Sequence, residues 1–93
     1  MLEVSLKDGY TLYILAFLQR INDLVAENDH KWDVCYPKIR AIVNRDNSLL
    51  TTLHWMLDVQ EGNPKKSDNI LLLSLCVHGS GKEYRIAKII LHR

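Results

Sequence analysis

The chain has 93 residues, of which 47% are apolar and 25% charged, with a formal net charge of +1. That length supports one domain, spanning residues 1–93, that buries roughly 60–65% of the surface its unfolded form exposes. The apolar share excludes intrinsic disorder, and near-neutrality excludes a histone-like or acidic tail. Cys35 and Cys76 are too few for a disulfide scaffold and fit a reducing compartment.

The apolar run Tyr10–Leu18 falls well short of the ~20 residues of a membrane span. Glu3, Lys7 and Asp8 precede it where a secretory leader would carry only basic residues. The expectation is an intracellular, soluble protein.

Taken in chain order, Leu2, Val4 and Leu6 alternate with Glu3, Ser5 and Lys7, which is the period of a strand with one wet face. Asp8-Gly9 breaks that pattern. From Tyr10 to Ala26 the period becomes helical, with Ile14, Phe17, Leu18, Ile21, Leu24 and Val25 on one stripe. Asn28-Asp29 ends the helix, since both residues tolerate turn conformations.

Trp32, Val34 and Tyr36 alternate with Asp33 and Cys35, predicting a short strand that Pro37 stops. Pro37 then suits the first position of a helix, where its missing N–H costs nothing. Ile39, Ile42 and Val43 give a short helical stripe, and residues 44–48 are rich in potential caps. Leu49, Leu50, Leu53, Met56 and Leu57 resume a helix that Gly62-Asn63-Pro64 closes. One kinked helix and two short ones both fit residues 37–61.

Ile70 to Val77 and Tyr84 to Leu91 read as a β-hairpin around Gly79-Ser80-Gly81-Lys82. A two-residue Ser80-Gly81 loop puts Leu71, Leu73, Leu75, Val77, Tyr84, Ile86 and Ile90 on a core face. Lys88 then falls on that core face opposite Leu73, a conflict that a register slip or snorkelling would relieve.

These elements predict an α+β fold, a two-layer sandwich of order β-α-β-α(α)-β-β that ends in a β-hairpin. A winged-helix-like arrangement, with two short helices over 37–61 and the hairpin as wing, is the alternative. The preferred order is similar to that of Alba-like nucleic-acid-binding proteins, a likeness of element order only. Tyr36-Pro37-Lys38 stands where those proteins carry a Gly- and Lys-rich loop.

No catalytic constellation is expected, and the chain is read as non-enzymatic. Gly79-Ser80-Gly81-Lys82 fails as a phosphate loop, because Cys76 stands at the required first Gly and Glu83 at the required Ser or Thr. His54 and Asp58 fit the solvated face of a helix together with Thr51 and Glu61. Cys76 and His78 are two apart on one strand, roughly 7 Å at Cα, which is poor geometry for a nucleophile and its base. No cofactor, metal or small-molecule ligand is inferred.

Charge distribution is more informative. Residues 1–33 carry three basic and six acidic groups, whereas residues 34–93 carry nine basic and five acidic ones. Lys38, Arg40, Arg45, Lys82, Arg85 and Lys88 are the candidate contacts to RNA or DNA, from a basic helix and the hairpin. The competing expectation is a protein-interaction module, an adaptor, subunit or small inhibitor. It would use the apolar second face of the hairpin, Ile70, Leu72, Ile89 and Leu91, through which the chain would pair as a homodimer.

Overall fold

The computed structural model describes residues 10–93. The alternating segment 2–7 lies outside that range. The described residues form an α+β domain of two helices and one three-stranded antiparallel sheet. Helix α1 is Tyr10–Glu27 and α2 is Trp32–Leu49; the strands are β1 Leu53–Glu61, β2 Asp68–Val77 and β3 Glu83–His92. The sheet order is β1-β2-β3, with both neighbouring pairs antiparallel.

Helix α1 forms where its period requires, burying Ile14, Phe17, Ile21 and Val25 along one stripe. It ends because Asp29 and His30 both adopt left-handed backbone, with φ of 55° and 56°. His30 N–H returns to the Val25 carbonyl, and the Asn28 amide to the Leu24 carbonyl.

The strand expected at Trp32–Tyr36 is instead the start of α2. Five alternating residues fit both periods, and the longer-range stripe Cys35, Ile39, Val43, Asp46 decides for a helix. Trp32 and Tyr36, one turn apart, stack with ring centroids 4.6 Å apart. Pro37 sits within the helix on its exposed side. Asp33, whose carbonyl a proline at 37 has no N–H to reach, is exposed as well, which limits the usual penalty of an interior proline.

The break expected at residues 44–48 does not occur either, because Asp46 is buried rather than capping anything. Tyr13 Oη–H donates to Asp46 Oδ2 at 2.9 Å, and Arg20 pairs with the same oxygen at 3.0 Å. Trp55 Nε1–H donates in turn to Tyr13 Oη at 2.6 Å. This chain of partners ties α1, α2 and β1 together and gives the Asp46 carboxylate, the Tyr13 hydroxyl and the Trp55 indole N–H their hydrogen bonds. Burial pushes the Tyr13 hydroxyl up to about 12; the Trp55 bond opposes that shift and Asp46 adds to it.

The helix expected over 49–61 is strand β1, so neither the split-helix nor the winged arrangement forms. Leu53, Trp55 and Leu57 satisfy the strand period as well as the helical one, and pairing with β2 selects the strand. Their side chains join the core, where Phe17 stacks on Trp55 at 4.2 Å. Both helices lie on the face of the sheet carrying Leu53, Trp55, Leu57, Leu71, Leu73, Leu75, Ile89 and Leu91.

The hairpin loop is longer than expected. Val77 N–H reaches the Lys82 carbonyl across residues 78–81, with Gly79 and Gly81 at φ of 81° and 69°. The base of the hairpin pairs Ile70 with Ile90 and Leu72 with Lys88, and an irregularity beside Leu73/Ser74 shifts the register again toward the tip. A one-residue change of register exchanges the two faces of β3. Lys88 therefore points outward and Ile86 inward, which removes the conflict at Lys88.

Candidate functional site: the free edge and open face of the sheet

Because both helices lie on one side, the other face of the sheet carries no further layer among the described residues. Its rows follow from the register: His54, Cys76 and Glu83; then Met56, Ser74 and Arg85; then Asp58, Leu72 and Lys88; then Gln60, Ile70 and Ile90. The interface expected from sequence is only half on this face. Ile70 is half-buried there and Leu72, between Asp58 and Lys88, is itself buried, while Ile89 and Leu91 are buried under the helices. Ile90, at 46% exposure, takes their place in the outer row.

The six basic candidates do not form one surface. Arg85 and Lys88 lie on the open face of β3, and Lys82 begins the return of the hairpin. Lys38, Arg40 and Arg45 lie on α2, in the layer on the opposite side of the sheet. Arg40 is further committed to Tyr36, lying over its ring at 5.6 Å and bonding its hydroxyl at 3.1 Å. Lys38 bonds Asn28 at 3.4 Å. Tyr84, expected as a stacking group beside Arg85, is directly opposite Leu75 on the helix-facing side.

The two edges of the sheet differ in a way no sequence pattern announced. His78 N–H bonds the Thr52 carbonyl and Gly62 N–H the Asp68 carbonyl, so the even-numbered residues of this stretch turn their backbone groups toward β2. The odd-numbered residues of β1 therefore present N–H and C=O to the free edge. Asn47, near the end of α2, caps the first part: its Oδ1 accepts from Trp55 N–H at 2.7 Å and its Nδ2 donates to the Trp55 carbonyl at 3.0 Å. Beyond Trp55 the strand runs out from under the helices, and Asp58 to Glu61 are exposed. Among the described residues, no hydrogen bond reaches the outward backbone groups of Leu57, Val59 or Glu61. Val59 is 48% exposed in the middle of this stretch.

The edge of β3 is protected. His92 N–H bonds the His30 carbonyl at 2.8 Å and Lys31 forms a bridge to the same residue. Lys88, Arg85 and the register shift blunt the rest.

Chemistry at this surface is limited. Burial pushes the Cys76 thiol up, with Glu83 and Asp58 adding to the effect, so it is not an activated nucleophile. Cys35 is fully buried in the core and its thiol is likewise raised, by burial first. Among the described residues no group of three or more His, Cys, Asp or Glu is placed to hold a metal ion. No helix of the described residues is long and apolar enough to cross a membrane.

No family model, curated protein or solved structure matches this chain.

Proposed function

We propose that the chain is a non-enzymatic protein-interaction module that pairs with a second copy of itself through the free edge of β1. The observation that carries this reading is the unguarded stretch Leu57–Glu61. It holds outward backbone groups that have no partner among the described residues, an exposed Val59, and none of the lysines, prolines or bulges that blunt edge strands.

The stretch is self-complementary. Placing Val59 opposite Val59 of the second copy sets Leu57 opposite Glu61 and Asp58 opposite Gln60, with no like charges face to face. The outward residues 57, 59 and 61 then pair only with one another, two backbone hydrogen bonds at each pair. Such a contact is two-fold and uses the same patch on both copies, so it closes at a dimer. Asn47 stops the pairing at Trp55, and the β3 edge carries the His92 backbone bond, a register shift, Arg85 and Lys88, which disfavour growth on that side.

Light scattering over a concentration series tests the proposal. The wild-type chain is expected to pass from monomer to dimer, and Val59→Lys to stay monomeric while keeping its stability within about 0.5 kcal/mol. A wild-type monomer at every concentration contradicts the reading, as does a Val59→Lys dimer. Salt-dependent retention on RNA or DNA that is lost in an Arg85→Ala, Lys88→Ala variant would favour polyanion binding instead.

A further inference from the structure

The other end of the open face gathers a different chemistry. His54 on β1 is directly opposite Cys76 on β2. Met56, next along the same face, brings its Sδ to 3.1 Å from Cys76 Sγ. His54 Nδ1 is buried and has no hydrogen-bond partner among the described residues, which a buried ring nitrogen rarely tolerates without a role. His78 stacks on the His54 ring with centroids 4.7 Å apart and so restricts its orientation. The sequence concealed this cluster by suggesting a helix through His54 and Met56, on which neither would meet Cys76.

We infer that Cys76 Sγ, Met56 Sδ and the His54 imidazole form a binding site for a soft monovalent metal ion of the copper(I) class. A thiolate and a thioether are the donors that select such ions, and imidazole is compatible with them. A copper(I) ion accepts two or three donors, so it needs no four-ligand cage. Zinc does need one, and the described residues offer no set of three His, Cys, Asp or Glu for it. Glu83, opposite Cys76 on β3, and Asp58, on the same face of β1, add negative charge around a bound cation.

On binding, the Cys76 S–H bond breaks, its proton goes to solvent, and Sγ forms a bond to the metal with no change in oxidation state. Cys35 cannot substitute, because it is fully buried. The site is independent of pairing at Val59 and would persist in the Val59→Lys monomer.

The test is titration of the purified chain with copper(I), held reduced in the absence of oxygen and competed by a chromophoric copper(I) chelator. One equivalent is expected per chain, with a rise in thermal midpoint that tracks the free ion. Cys76→Ser should abolish binding, while Met56→Leu and His54→Gln should each weaken it at least about tenfold. Circular dichroism checks that these variants fold; Met56→Leu nearly preserves volume and carries the test if Cys76→Ser does not fold. Wild-type affinity in Cys76→Ser, or in both Met56→Leu and His54→Gln, would overturn the assignment. Equal or tighter binding of zinc would overturn it as well.

Discussion

The two edges of this sheet have been treated oppositely by one sequence. Strand β3 ends with His92 N–H donating to the His30 carbonyl, bends at a register shift and carries Arg85 and Lys88 on its open face. On the outer edge of strand β1, among the described residues, only Trp55 has a backbone partner, the Asn47 side chain, and the last four residues, Asp58–Glu61, are exposed and carry no basic group. An edge that is merely tolerated is usually blunted along its length. Here one edge carries a backbone bond at its end, a register shift and two basic side chains, while the other is capped at Trp55 and bare of basic groups beyond it, and that asymmetry makes the β1 side the candidate pairing surface.

The comparison is tested first by what the two edges share. Phe17 is fully buried and stacks on Trp55, so Phe17→Ala should cost about 3–5 kcal/mol and accelerate amide exchange in β1 and β3 together. Loosening confined to β1 would show that the two edges are not held by one core.

Asn47→Ala separates them. It strips both backbone partners from Trp55, a residue only 2% exposed, and should cost about 1–3 kcal/mol. Thermal unfolding measures the cost, and exchange at the Trp55 amide should rise while that of β3 follows only the global change. An unaltered Trp55 amide would mean that Asn47 is not what guards the first half of β1.

The smallest effect is set by pH. Tyr13 lies against Trp55 and donates to Asp46, and its hydroxyl is held at about 12 against an ordinary 10. As pH rises above 10 the unfolded chain releases this proton first, so the folded state loses stability between pH 10 and 12. The slope from this group is at most about 1.4 kcal/mol per pH unit. Tyr13→Phe should flatten that part of the profile, and an identical slope in the variant would assign it to other groups.

Much of the fold was legible where one period dominated. The stripe Ile14, Phe17, Ile21, Val25 admits only a helix, and Leu71, Leu73 and Leu75 admit only a strand buried under something. Legibility failed where two periods fit equally. Leu53, Trp55 and Leu57 satisfy a strand, while Leu49, Leu53, Met56 and Leu57 satisfy a helix, and the choice rests on pairing with Val77, Leu75 and Leu73 of β2, far along the chain. The same ambiguity at Trp32–Tyr36 is resolved by Cys35 aligning with Ile39 and Val43.

The hairpin was recognised but its register was not, because the four-residue turn and the shift beside Leu73 are invisible in a list of residues. That single displacement moved Ile89 and Leu91 from the expected interface into the core and brought Ile90 and Lys88 out. The candidate edge escaped sequence reading for the same reason as β1 itself. An open edge is a property of what does not lie beside a strand, and no residue in Leu57–Glu61 encodes it.

Amide hydrogen exchange across a concentration series reaches the central claim most directly. In the dilute chain, the amides of Asp58 and Gln60 should already be protected by β2, while those of Leu57, Val59 and Glu61 exchange quickly. At concentrations where the dimer forms, those three should become protected together, and Lys88 and Ile90 on the opposite edge should not change. Rapid, concentration-independent exchange at Leu57, Val59 and Glu61 would contradict pairing through β1, as would protection that is already complete in the monomer.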